Sequence, residues 1–106
     1  MKNLDATLSA LADPTRRRVV DLLRERPRRA GELASRAHTS GPAMSRHLRV
    51  LRASGLVEAG LSDEDARARV YRLRPERLRA LQSWLDGFWV GQLESFKAHA
   101  ERRPHG

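Results

Sequence analysis

The chain has 106 residues, a length that supports one hydrophobic core, so we expect a single domain over residues 1–106. It carries 21 Lys and Arg against 13 Asp and Glu, a formal net charge of +8, which favours a polyanionic partner such as nucleic acid or an anionic membrane surface. The absence of cysteine excludes disulfides, thiol catalysis and thiolate metal sites.

No targeting or membrane-spanning segment is evident. Residues 1–12 lack a basic flank followed by an apolar run, and no stretch of about 18 uncharged apolar residues occurs in the chain. We therefore expect a cytoplasmic protein with no membrane partner.

The first half of the chain predicts four helices. Leu4, Leu8 and Leu11 recur at helical spacing and predict a first helix. Asp13 is a favourable N-cap and Pro14 a favourable first residue, so a second helix should begin there. The four predicted helices span about residues 4–12, 14–26, 30–37 and 41–53.

The second half predicts a β-hairpin and a long final helix. Residues 56–60 and 69–73 have the composition of short strands, and the polar residues 62–65 form the turn between them. Pro75 opens a last helix that reaches about Arg102. The fold class is therefore mainly α with a small β-hairpin, in the order α-α-α-α-β-β-α.

A tight turn between two short helices, followed at once by a hairpin, is typical of a winged helix-turn-helix domain. No acidic residue occurs between Glu32 and Glu58. That interval contains four arginines, Arg36, Arg46, Arg49 and Arg52. The basic, acid-free stretch thus includes the fourth helix, which we predict to bind double-stranded DNA.

The fourth helix has two predicted faces. Met44, Leu48 and Leu51 share one face and should pack inward, which turns the opposite face to solvent. Ser45 and Arg46 are candidates for base contacts, and the arginines further along are candidates for phosphate contacts. The candidates near and on this helix are Ser40, Pro42, Ser45, Arg46, Arg49 and Arg52. The alternative is a merely solvated basic face.

The predicted hairpin carries Arg67 and Arg69, which are candidates for contacts with the minor groove or with phosphates. The alternative is local neutralisation of these arginines by Asp63, Glu64 and Asp65. An acidic tip is repelled by DNA, so we expect the strand with the arginines to face the DNA backbone.

The last helix holds four of the five aromatic residues. They are Trp84, Phe88, Trp89 and Phe96. Its apolar coverage exceeds what one small core needs, which favours a second buried face that meets its own copy in a homodimer. An aromatic pocket for an organic effector is the alternative. The predicted interface uses the first and last helices, residues 4–12 and 75–102, through Leu4, Leu8, Leu81, Trp84, Leu85, Phe88 and Trp89.

Several segments together resemble the ArsR family of bacterial transcriptional regulators. The segments are residues 11–17, 31–34, 44–51 and 55–57, within a match over about residues 4–75. The resemblance implies a dimer whose first and last helices build the interface, and a repressor that leaves its operator when an inducer binds. It also places DNA-reading positions at Gly41, Pro42, Ser45 and Arg46. Gly41 and Pro42 depart from the polar residues that members often carry there.

The sensing sites of the family do not transfer to this chain. Thiolate sites need cysteine, and Asp86 and Glu94 fall on different faces of the last helix. His99, Glu101 and His105 are either a zinc or nickel site or a polar tail, and the polar tail is favoured. We predict no cofactor and no metal, and the effector, whether a small molecule, a metal or a protein, stays open.

No catalytic constellation is evident. The chain lacks a glycine-rich phosphate loop, an HExxH motif and an acid pair in a cleft, so an enzyme is not expected. His38 and His47 are interpreted as a turn residue and a helix-surface residue. The competing functions are a nonspecific architectural DNA-binding protein and a regulator whose partner protein does the sensing.

Overall fold

A computed structural model describes the backbone of residues 2–102 and the side chains of residues 3–92, 96, 97, 99 and 100. The element order confirms the predicted fold class. The elements are α1 (Lys2–Leu11), α2 (Pro14–Glu25), α3 (Ala30–Arg36), α4 (Gly41–Ala53), β1 (Val57–Leu61), β2 (Arg69–Leu73) and α5 (Glu76–Arg102). Strand β1 begins and ends one residue later than predicted.

Two side-chain caps fix where α2 and α4 begin. Asp13 Oδ1 accepts the backbone N–H of Arg16 at 3.0 Å, and Ser40 Oγ accepts that of Ala43 at 3.2 Å. Each helix also has a proline in its first turn, where the missing N–H costs nothing. Gly55 follows α4 with φ +81°, a conformation that glycine adopts without strain. The predicted starts of α2 and α4 are therefore confirmed.

The Asp13 cap makes the stability of α2 dependent on pH. The Arg16 N–H lowers the pKa of Asp13, so the cap stabilises the protein above the pKa of the unfolded state, and this stabilisation is lost as pH falls through the lower folded value. Asp13→Ala should cost about 1 kcal/mol at neutral pH. Asp13→Asn keeps a capping oxygen but cannot titrate, so its stability should fall less between pH 5 and pH 3, about the range in which aspartate titrates. Urea unfolding at several pH values measures both effects. Equal pH slopes in the Asp13→Asn and wild-type proteins would contradict the assignment.

The hydrophobic core lies between α2, α3, α4 and the start of the hairpin. Its buried members are Ala10, Val19, Leu22, Leu23, Leu33, Ala34, Met44, Leu48, Leu51, Leu56 and Val57. Met44, Leu48 and Leu51 face inward as predicted, each at most 2% exposed. Since these three occupy one face of α4, its opposite face is left to solvent.

The hairpin is attached to the body by a short bridge. Strands β1 and β2 pair antiparallel from Val57 opposite Leu73 to Leu61 opposite Arg69. Arg28, in the loop before α3, donates its N–H to the Tyr71 carbonyl at 3.1 Å and accepts the Tyr71 N–H at 2.8 Å. The hairpin is thereby joined by two backbone hydrogen bonds to a third segment of the chain, which no local sequence pattern predicts.

The side chain of Arg28 is buried at the same place, with 3% exposed. Its Nε donates to the Leu22 carbonyl at 3.0 Å, and its guanidinium pairs with Glu32 and, at 2.5 Å, with Glu25. The hydrogen bond from Arg28 lowers the pKa of Glu32, and the same contact raises the pKa of Arg28. One arginine therefore joins the end of α2, the helix α3 and the hairpin.

Among the described side chains of α5, those that pack on the rest of the chain lie in its first part. Leu78 packs on the core and α1 contacts α5, whereas every residue from Gln82 to Gln92 is exposed. Leu4, a predicted interface residue, is 5% exposed within a single chain. It therefore has little surface left for a partner, unlike the other predicted apolar interface residues.

Candidate DNA-binding site

The nine predicted DNA-contacting residues are all exposed. They are Ser40, Gly41, Pro42, Ser45, Arg46, Arg49, Arg52, Arg67 and Arg69. The first seven lie at the start and on the outer face of α4, and the last two lie in the loop before β2 and at its first residue. Because α4 packs against β1, helix and hairpin are neighbours in the fold.

The start of α4 is open to an approaching backbone. The Ser40 hydroxyl already accepts the Ala43 N–H, so this side chain serves as a cap. No atom lies within 4 Å of the position that a Cβ would take at Gly41. A helix N-terminus with free space around it suits a phosphate, because its N–H groups and dipole attract anions.

The five candidate arginines carry unneutralised charge. Among the residues that the structure describes, the side chains of Arg46, Arg49, Arg52, Arg67 and Arg69 form no hydrogen bond and no ion pair. Many other arginines of the chain hold a carboxylate or a carbonyl oxygen. This contrast leaves a face of unpaired positive charge on α4 and on the hairpin.

Two of the three acidic residues at the hairpin tip pair with arginines other than the two candidates. Asp63 lies 3.6 Å from Arg72, and Asp65 lies 3.6 Å from Arg29. Asp65 also accepts the backbone N–H of Arg67 at 3.0 Å. Local neutralisation of the Arg67 and Arg69 guanidinium groups, the alternative raised by the sequence, is therefore wrong in this structure.

One further arginine, Arg74, lies beside the candidates, but it is paired with Glu58 and, at 3.8 Å, with Glu76. A cleft of about 460 Å³ between α4 and β1 is lined by Arg49, Arg52, Arg74 and Glu58, among others. Arg74 Nη1 lies 3.5 Å from Glu58 Oε2. Sequence reasoning missed Arg74 because it follows the strand and belongs to no helical or strand pattern. The one sequence feature that could have indicated Arg74 is its position directly after the predicted second strand.

Two polar residues of α2 and α4, Arg16 and His47, are partly buried. Arg16 on α2 donates Nε to the Ala10 carbonyl at 2.7 Å and Nη2 to the Ser9 carbonyl at 3.2 Å. The His47 side chain is 21% exposed, and its Nδ1 lies 4.0 Å from Asp13 Oδ1. The helix-surface interpretation of His47 is thus corrected, because this residue lies on the side of α4 that faces α2. His38 lies in the turn, as predicted, with φ 55°.

The C-terminal metal alternative falls largely outside the described part of the chain. His105 and the Glu101 side chain are not among the described residues. Within the residues that are described, no three His, Asp or Glu side chains are grouped to hold a metal ion. None of the described helices is both long and apolar enough to cross a membrane.

The fold and the unpaired basic face define a winged helix-turn-helix protein of the DNA-binding class. The model of the bacterial regulatory proteins of the arsR family matches residues 13–59. The HTH-type transcriptional regulator Rv2034 of Mycobacterium tuberculosis is 43% identical over 93 residues, covering 87% of this chain and 83% of that protein. The chain belongs to the ArsR family of bacterial transcriptional regulators. It is not an enzyme, as predicted.

Other relatives and solved structures agree with this assignment. The transcriptional repressor SdpR of Bacillus subtilis is 33% identical over 54 residues, 51% of this chain and 60% of that protein. The ArsR-like regulator from Rhodococcus sp. RHA1 has a TM-score of 0.74 at 29% identity, covering 97% of this chain and 94% of that chain. The homodimeric domain Mb0332 of Mycobacterium bovis, at 23% identity, has a TM-score of 0.64 over 99% of this chain and 89% of that chain, and shows the fold alone.

Proposed function

We propose that this chain is a cytoplasmic, sequence-specific repressor that binds a pseudo-palindromic operator as a homodimer. The observation that carries the proposal is the set of five arginines on α4 and the hairpin whose charge no described residue neutralises. These exposed guanidinium groups are solvated in the free protein, and they are available to replace the counterions of a DNA duplex. Its placement on a helix-turn-helix reader favours duplex DNA over other polyanions.

The residues of α4 divide into two roles in this proposal. Ser45 and Arg46, in its first half, contact base edges, where arginine binds guanine through two hydrogen bonds. Arg49 and Arg52 hold phosphates beside the cleft that they share with Arg74. Gly41 and Pro42 supply no polar side chain, so fewer groups read the operator. Arg67 and Arg69 hold the flanking backbone or enter the minor groove.

The dimer is proposed from the apolar face of α5. Trp84, Leu85, Phe88 and Trp89 are 40%, 41%, 57% and 56% exposed in the single chain, and Leu8 on α1 is 39% exposed. A contiguous patch of large apolar side chains on a helix that extends beyond its own core favours burial against a second copy. We therefore propose one domain per chain, with α1 and α5 forming the interface, and Leu81 at its edge.

Repression is proposed by likeness to relatives that repress. SdpR and the HTH-type transcriptional repressor SmtB of Mycobacterium tuberculosis, 38% identical over 71 residues, are both repressors. An operator that overlaps a promoter lets a bound dimer exclude polymerase. Since the chain has no cysteine, release through a thiolate metal site is not part of the proposal, and an inducing small molecule, metal or partner protein acts elsewhere.

The two roles on α4 predict different effects of two matched substitutions. Arg46→Ala should lower operator affinity by about 1 to 3 kcal/mol and relax base preference at one position per half-site. Arg49→Ala should weaken operator and scrambled duplex alike and reduce the salt slope by about 1 for each phosphate that the protein no longer neutralises. Titrations of both variants on both duplexes at several salt concentrations separate the two contributions.

The control is Arg24→Ala, which removes the same charge from an exposed position on α2 where only Asp21, at 4.0 Å, is a partner. It should change neither base preference nor the salt slope. If Arg46→Ala and Arg49→Ala both match this control, α4 is not the reader. If the wild-type protein binds operator and scrambled duplex equally, the protein is a nonspecific DNA-binding protein instead.

A further inference from the structure

A polar contact joins the reader helix to the junction between α1 and α2. His47 follows Arg46 directly in α4, and its side chain points toward α2, between the core face and the outer face. Arg16 Nη1 lies 3.4 Å from His47 Nδ1. These two residues are 31 positions apart in the chain, so the contact exists only because α2 and α4 pack together.

The Arg16 side chain that contacts α4 is also fixed by hydrogen bonds to α1. Its Nε and Nη2 donate to the carbonyls of Ala10 and Ser9 in the last turn of α1, where helical carbonyls lack intrahelical partners. Its backbone N–H is bound by Asp13. With these bonds made, Nη1 is the part of the guanidinium that points toward α4. A guanidinium only donates hydrogen bonds, so His47 accepts through an unprotonated Nδ1.

The same ring nitrogen also faces an acceptor. Asp13 Oδ1 lies 4.0 Å from His47 Nδ1, so the α1–α2 junction offers this nitrogen a donor and a carboxylate side by side. The imidazole of α4 therefore contacts the α1–α2 junction through its Nδ1.

We propose that His47 is a positioning residue for base readout. A rigid helix rotates as a whole, so an anchor at residue 47 fixes the direction in which Ser45 and Arg46 leave the outer face of α4. The core residues Met44, Leu48 and Leu51 resist large rotations, but apolar contacts are not directional, whereas a hydrogen bond is. Because Arg16 is hydrogen-bonded to α1, the same contact also connects α4 to a helix of the proposed dimer interface. This role rests on the proposed function of α4.

The test compares two replacements of His47 that differ in one acceptor. His47→Asn places an amide oxygen close to the former Nδ1 and keeps a bond to Arg16, whereas His47→Leu removes the acceptor. Each protein is titrated with an operator that the wild-type protein selects from a random-sequence duplex library, and with a scrambled duplex, across several salt concentrations. Thermal melting and sedimentation of each variant are measured beside these titrations.

The expected result is a loss of discrimination without a loss of general DNA binding. His47→Leu should lower the operator-to-scrambled affinity ratio about tenfold, the size of a typical coupling between contacting side chains. Its affinity for scrambled duplex and its salt slope should stay at wild-type values. His47→Asn should keep the ratio within about threefold of wild type. A purely structural role predicts instead that both affinities fall together with the folded fraction.

Arg16→Met provides an independent variant that leaves His47 in place and removes the donor. It should lower the ratio in the same way, and adding His47→Leu should lower it little further, because both changes break the contact between Arg16 and His47. A wild-type ratio in His47→Leu, or losses that multiply in the double variant, would overturn the positioning role alone. A wild-type protein with no discrimination would overturn this role and the proposed function together, which separates the two failures.

Discussion

Phe88→Glu is expected to convert the dimer into a monomer and to lower operator affinity by at least about a hundredfold, because the second half-site no longer adds to binding. Phe88 is 57% exposed in the single chain and stacks edge to face on Trp84, with ring centroids 5.0 Å apart. In the proposed dimer both rings are buried. A carboxylate placed there loses its hydration without gaining a partner, which costs several kcal/mol.

Sedimentation at micromolar concentration and operator titration together measure this effect. Ser83→Glu is the control, because Ser83 is exposed on α5 and five residues from Phe88, about 140° around the helix at 3.6 residues per turn. It introduces the same charge on the polar side and should leave the dimer intact. A dimer that persists in Phe88→Glu, or a wild-type monomer with full operator affinity, would show that α5 does not form the interface.

Local signals were sufficient for most of the fold. The boundaries of α2 and α4 follow from Asp13 and Ser40, whose side chains cap the helices in the structure. The inward face of α4 follows from the helical spacing of three apolar residues, and the hairpin follows from strand composition on both sides of a polar turn. Each of these features depends on residues within a few positions of one another, so sequence patterns contain them.

Several interactions that the sequence did not predict join distant residues, such as the bridge between Arg28 and Tyr71 and the pair of Arg29 with Asp65. The Arg28 side chain is buried, which is rare for an arginine unless it is paired. Its side-chain partners lie on α2 and α3, and its backbone forms the bridge to the hairpin. Asp65 is neutralised by Arg29 and not by the arginines beside it in the hairpin. Which of the many arginines meets a carboxylate depends on packing, because they are alike in composition.

The pairing of arginines with carboxylates also decides which arginines serve DNA binding. An arginine whose charge is already paired contributes little, so the net charge of +8 does not itself locate the DNA site. Unpaired arginines retain the charge that displaces counterions from phosphate, and five of them are grouped on α4 and the hairpin. The pairs on Glu32 and on the hairpin acids remove several arginines from that set. Among the described residues Arg18, Arg77 and Arg79 also remain unpaired, so the site follows from the position of the other five on α4 and the hairpin together with their free charge.

The largest effect on stability is expected from Arg28→Ala. The substitution leaves the Leu22 carbonyl without its Nε donor. It also takes from Glu32 the buried one of its described arginine partners, since Arg26 and Arg36 are exposed. Loss of a buried, hydrogen-bonded charge partner is strongly destabilising. We expect the melting temperature to fall by about 10 °C or more. Calorimetry or thermal circular dichroism measures the change.

Arg36→Ala is the matched control for Arg28→Ala, because Arg36 contacts the same Glu32 oxygen at 3.3 Å while half of its own side chain is exposed. An exposed ion pair contributes little, so its loss should lower the melting temperature by no more than about 3 °C.

The two variants should also differ in their stability at acid pH. The pKa of Glu32 is lowered mainly by the Arg28 hydrogen bond, so this stabilisation is present above the pKa of the unfolded state and is lost as pH falls below about 4. Arg28→Ala should remove most of that pH dependence and Arg36→Ala should retain it. Equal melting temperatures and equal acid sensitivity in the two variants would show that burial of the Arg28–Glu32 pair does not stabilise the junction of α2, α3 and the hairpin.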